Sequence, residues 1–362
     1  MAIFTNAPGF ALGSAANSEL ILHLARDVGL AALGLTLSLI LQIAVMRLLQ
    51  RRRDRFSAAV ATRWRPLLLR YALGEDLTLP SLTRGEEVPL MLLWNHLADS
   101  LRGPSHERLG RVLAGLGLHL QARRWMEQGR GKQQLLGLLT IGHLGRTSDW
   151  QRVLELLADP RPYLSLAAAR ALLQIDPVHA AEPVIAELER RPDWPLARLA
   201  VLLRDAGSAH VFEPLRRHLD VAEPGTQVRL VRLLAAVDSI RASAALEGLL
   251  ADTADNDLLS VCLQHVHTPG ALQRVRELAG HPIWWVRLQA AGALGRLGTP
   301  QDLPLLHGLL SDPQWWVRYR AAGALVSMPG MTSETLTGLR DGLTDRYARD
   351  VLTQVLVERK LA

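Results

Sequence analysis

Two pairs of adjacent tryptophans are the residues with the most chemistry to offer. HPIWWVRLQAAGALGRLG begins at His281 and DPQWWVRYRAAGALVSMPG at Asp312, which sets Trp284 and Trp285 in register with Trp315 and Trp316. Neighbouring residues on a helix point about 100° apart. One ring of each pair is therefore expected in a seam between helices, leaving the other for the surface. Exposed tryptophan is a frequent anchor of protein contacts, so the four rings are candidate partner-binding residues; packing of both rings between repeats is the competing reading. Tyr163 and Trp194 hold the corresponding places in earlier segments. Arg287 and Arg318, with Arg229 ahead of them, form a matching row. They read either as a structural ladder, paired with Asp312 and Glu223 at the unit starts, or as further partner-binding residues.

Catalytic chemistry finds no constellation. His265 and His267 are two apart and point to different faces of a helix, and the one His-Glu step is His106–Glu107. Neither a glycine-rich phosphate cradle nor a nucleophile elbow occurs. Cys262 stands alone within LLSVCLQHV and reads as a small core residue. No catalytic, cofactor-binding or metal-ligating residue is expected, and no small-molecule substrate.

The elements that position these residues are helices. The chain is 49% hydrophobic but only 5% aromatic, and its apolar residues are mostly Leu and Ala, the composition of packed helices. Weaker copies of the tryptophan segments begin at Asp159, Arg191 and Glu223, and their prolines, Pro160, Pro192 and Pro224, are evenly spaced. A degenerate unit is expected near Asp255. Each copy is followed by a second apolar-periodic stretch: PVHAAEPVIAEL, SAHVFEPLRRHL, LPLLHGLL. The prolines read as first-turn residues, where the missing N–H costs nothing. Two helices per unit of this length is the period of an α-solenoid, in which stacking buries the face that a lone hairpin leaves exposed. The pattern DPxWWVRxxAAxAL resembles the HEAT repeat in its short, PBS-lyase-like bacterial form.

Near the N-terminus, VGLAALGLTLSLILQIAVM from Val28 to Met46 carries no charge and approaches the roughly 20 apolar residues of a spanning helix. Its helix is expected to start near Asn17 or Ser18. Positive charge follows the apolar run rather than preceding it, unlike a cleaved signal. Arg47, Arg51, Arg52, Arg53 and Arg55 are the candidate membrane-surface residues, and they place the following chain in the cytoplasm and the N-terminus in the periplasm. The eight arginines between residues 47 and 70 face one acid, Asp54, so this belt accounts for the whole net charge of +6. The body after residue 70 is balanced, which argues against nucleic acid as a partner. A nucleic-acid-binding or DNA-repair helical-repeat enzyme is the alternative function.

The expected protein is all-α, an N-terminal transmembrane helix followed by a HEAT-like superhelix. Its parts are a periplasmic tail and helix start (1–27), the span (28–49), a basic juxtamembrane linker (50–70), degenerate helical repeats (71–158), HEAT-like repeats (159–342) and a capping helix (343–362), with Asp345 as its cap. The whole resembles bacterial single-pass, inner-membrane-anchored HEAT-repeat proteins. That resemblance implies a scaffold or adaptor binding a membrane-associated protein partner, as a regulator or accessory subunit of a membrane enzyme such as a polysaccharide glycosyltransferase.

Overall fold

The computed structural model describes residues 12–328 and 330–360, so the first eleven residues of the expected periplasmic tail lie outside it. In chain order its helices are α1 (Leu12–Ala72), α2 (Glu87–Ser100), α3 (Pro104–Gly115), α4 (Leu118–Gln128), α5 (Lys132–Leu144), α6 (Trp150–Leu157) and α7 (Pro162–Ile175). They continue as α8 (Pro177–Arg190), α9 (Leu196–Ala206), α10 (Ser208–Val221), α11 (Pro224–Val237), α12 (Ser239–Asp252) and α13 (Asn256–His265). The last six are α14 (Leu272–Leu278), α15 (Trp284–Leu297), α16 (Leu303–Leu309), α17 (Trp315–Ser327), α18 (Ser333–Gly342) and α19 (Arg346–Glu358). No strand occurs among the described residues. Two compact units divide between Leu118 and His119.

In the first unit α1 is one unbroken helix of 61 residues. It is already helical at Leu12, ahead of the expected start at Ser18, and it includes residues 50–70, which the sequence suggested as a linker. From Leu33 to Met46 every side chain is exposed, and the helix that carries this run, Leu33–Ala72, is long and apolar enough to cross a membrane. The far end is different. Val60, Trp64, Leu68 and Ala72 recur every fourth residue and are buried, giving one apolar stripe on an otherwise arginine-rich helix. That stripe packs on α2 and α3. Trp94 Nε1 donates to the Leu109 carbonyl at 2.8 Å, tying α2 to α3. Arg63 donates to the buried Glu86 carboxylate at 3.1 Å, so part of the basic belt holds this unit together instead of facing headgroups.

The second unit is a two-layered stack. Helices α5, α7, α9, α11, α13, α15, α17 and α19 pack on one another in succession, and the intervening even-numbered helices back them. Small residues set the spacing within the odd layer. A Cβ on Gly295 would stand 2.7 Å from Ala324 Cα, and one on Gly142 would stand 2.8 Å from Ala171 Cα, so only glycine permits these approaches. The stretch HERLGRVLAGLGLHLQARRW is broken into α3 and α4 at Gly117, whose φ of 69° leaves the helical region. The unit starts fall where the repeats predicted them, including α13 behind its cap Asp255 and α19 behind its cap Asp345. The prolines are placed differently. Pro224 is the first residue of its helix, whereas Pro160, Pro192, Pro282 and Pro313 lie in the preceding connections.

Candidate functional site on the odd-helix layer

The tryptophan pairs sit at the first positions of α15 and α17. The seam residue in each repeat is the one that follows them: Val286 and Val317 are fully buried. Neither ring of the second pair is buried, with Trp315 38% and Trp316 57% exposed. Trp285 is 37% exposed and Trp284 half-buried. The expectation of one buried ring per pair therefore fails, because the pair precedes the point where the helix enters the seam. Within each pair the rings meet edge to face, at 5.8 Å and 4.7 Å between centroids, and Trp315 also stacks on Tyr319 at 5.2 Å. The corresponding residues of earlier units do not continue an exposed row. Trp194 is 1% exposed and donates its Nε1–H to Ser165 Oγ at 3.0 Å, while Tyr163 lies at the surface.

The arginine row is a ladder of main-chain contacts. Arg287 Nη1 donates to the carbonyls of His281 and Pro282 at 2.8 and 2.9 Å, and Arg318 Nη1 to those of Asp312 and Pro313 at 2.7 and 3.2 Å. Arg349, at the matching place in α19, reaches the Leu343 carbonyl. Each guanidinium thus ties its helix to the connection before it. Only Arg287 adds the expected cross-repeat ion pair, donating from Nε and Nη2 to both Asp312 oxygens at 2.7 and 3.0 Å. Arg229 does not meet Glu223. It donates to the carbonyls of Arg191 and Trp194 instead, and burial pushes its guanidinium down. A second device was not legible in the sequence. Arg276 grips the buried Asp302, and Arg123 grips the buried Asp149 in the same way.

Three clefts open on the odd-helix layer. The C-terminal one, of about 360 Å³, lies across α15, α17 and α19, where Trp316, Tyr319, Arg320, Arg296 and Arg359 line it. Tyr319, Arg320, Arg296 and Arg359 were missed by sequence reasoning. The signal was present: Trp316, Arg320, Gly323 and Ser327 follow one another at helical spacing, as do Trp285, Leu288, Gly292 and Arg296. A second cleft of about 630 Å³ is mainly apolar, with Leu135, Leu139, Tyr163 and Val201 on its walls between α5, α7 and α9. A third of about 440 Å³ lies between α11 and α13, beside Arg232, Asp255 and Asp257.

The zero charge sum of the body conceals a separation. The odd helices α5 to α19 carry twelve Arg and Lys against four Asp and Glu; the even helices α6 to α18 carry eight against eleven. No group of three or more metal-ligating side chains occurs among the described residues. Cys262 is buried, which pushes its thiol up to about 12, far from a nucleophile's range. The belt residues Arg47, Arg51, Arg52, Arg53 and Arg55 are all exposed on α1.

Stacked helical hairpins with an exposed aromatic and basic layer define an α-solenoid, the class of fold that serves as an extended recognition surface. Within that class, residues 272–357, from α14 to α19, match the family of HEAT repeats. A crystal structure of an engineered protein is 14% identical, covering 77% of this chain and 97% of its own length, at a TM-score of 0.33. No curated protein matches the chain.

Proposed function

We propose that the protein is a membrane-anchored scaffold: α1 spans a bacterial inner membrane once, its N-terminus is periplasmic, and the HEAT-like unit presents its odd-helix layer to a protein partner in the cytoplasm. The observation that carries this reading is the layer itself. Trp285, Trp315 and Trp316 are exposed there, Trp316 on the wall of a cleft, although exposed tryptophan is costly in water and typical of interface anchors. The anchor is supported by the wholly exposed apolar run of α1. It is supported too by the docking of Trp64 and Leu68 on α2 and α3, which makes this helix continuous with a folded unit, as a retained anchor requires. A membrane enzyme, of which a polysaccharide glycosyltransferase is one example, is the partner class the resemblance suggests.

The test is recovery of partners from solubilised membranes with the full chain as bait, compared with Trp285→Ala, Trp315→Ala and Trp316→Ala variants. Loss of one partner in these variants, with helicity unchanged, supports the proposal. Equal recovery from all three removes the tryptophans from the contact.

A further inference from the structure

The C-terminal cleft carries more positive charge than its own carboxylate offsets, three arginines standing against one glutamate. Among the described residues Arg320 and Arg359 make no ion pair, and Arg296 spends its donors on the carbonyls of Leu263 and Gly292, at 2.6 and 3.1 Å. The one carboxylate lining the cleft, Glu358, takes its hydrogen bonds from neutral donors, the Tyr319 hydroxyl at 2.6 Å and the Gln354 amide at 2.9 Å, and feels the Arg359 charge only at longer range. The positive field continues along the layer. Burial lowers the His265 pKa, and His267, Arg296 and Arg232 lower it further. The Arg296 guanidinium is likewise depressed by burial and then by Arg320. No carboxylate offsets either group.

The three arginines lie on successive rungs: Arg296 on α15, Arg320 on α17 and Arg359 just beyond α19. Packed helices stand about 8–10 Å apart. A chain in the extended polyproline II conformation turns once every three residues and advances about 3.1 Å per residue, so every third side chain returns to the same face about 9 Å further on. Trp316 offers an exposed ring beside this row. We propose that the cleft binds an extended acidic segment of the partner protein, with carboxylates three residues apart laid across α15, α17 and α19. This deepens the scaffold reading and rests on it.

The experiment uses the full chain in lipid nanodiscs and a fluorescent peptide with Glu at every third position. The comparison probes are its Gln counterpart, a peptide of the same composition with the Glu residues adjacent, and a single-stranded oligonucleotide. The Glu-every-third peptide is expected to bind, the Gln peptide to fail, and Arg320→Gln with Arg359→Gln to weaken binding at least about fivefold, two screened surface contacts being worth roughly that. Lys132→Gln, on the distant α5, should change nothing. Equal binding of the Gln or adjacent-Glu peptide, an unchanged double variant, or tighter binding of the oligonucleotide at equal salt would each overturn the proposal. Crosslinking from a photoreactive residue at Trp316 in native membranes decides the scaffold reading separately. A crosslinked protein with no peptide binding sinks the acidic segment alone.

Discussion

Asp312→Asn is the sharpest perturbation of the repeat stack. The Asp312 and Arg287 side chains are 5% and 15% exposed and share two charge-assisted hydrogen bonds across the α15–α17 junction. Asp312 Oδ1 also accepts the Gln314 N–H at 2.8 Å. Removing one partner of a buried pair costs about 3–5 kcal/mol, because the other charge is stranded. Arg287 keeps two carbonyl acceptors, so the low end applies, about 3 kcal/mol. At about 1.4 kcal/mol per tenfold, amides of α15 and α17 should lose roughly two decades of protection from hydrogen exchange. Hydrogen exchange is the right assay because repeat arrays open locally, so one global transition can hide the effect. Arg287→Met with Asp312→Leu should recover part of the loss, though the carbonyls of His281 and Pro282 then lack their donor. A change below about 0.5 kcal/mol for Asp312→Asn, within the usual range of surface substitutions, would refute the claim that the ladder holds the stacking register.

Other outcomes follow from the same packing. Gly295→Ala forces a Cβ to within 2.7 Å of Ala324 Cα and should destabilise the α15–α17 seam by about 1–3 kcal/mol in denaturant unfolding, whereas Gly308→Ala, with open space around it, should not. Trp64 is fully buried on α2 and α3, so Trp64→Ala should cost about 3–5 kcal/mol and expose the 73–86 connection to limited proteolysis. Arg276, then the Thr299 backbone and hydroxyl, hold the Asp302 carboxyl below its ordinary range despite the opposing cost of burial. A depressed carboxylate contributes stability that is present above the unfolded carboxylate range, near pH 4, and lost as pH falls through the folded value; Asp302→Asn should flatten that acid limb of the stability profile. Cys262 should stay unlabelled by thiol reagents at neutral pH until the chain is unfolded, since burial raises its pKa to about 12.

The repeat period was legible because burial repeats it. Each odd helix must place residues such as Ala290, Ala291 and Leu294 against its neighbours, and Ala321, Ala322 and Leu325 do the same one unit on. The docked end of α1 was not legible, since Arg63, Arg65 and Arg70 interrupt the stripe of Val60, Trp64 and Leu68, and local charge density outweighs a one-in-four pattern. The tryptophans were found but their environment was not, because a pair at the mouth of a helix need not enter the seam at all. The cleft residues escaped for another reason. A net charge of zero over the body says nothing about its distribution, and only the alternation of odd and even helices reveals that one layer is basic.

The central claim is that the odd-helix layer is a protein-binding face. Photocrosslinking in native membranes, with the reactive residue at Trp316 on α17 or at Arg340 on α18, tests it most directly. A discrete protein adduct from the Trp316 position and none from the Arg340 position is the predicted result. The same adducts from both positions, or from the Arg340 position alone, would contradict it.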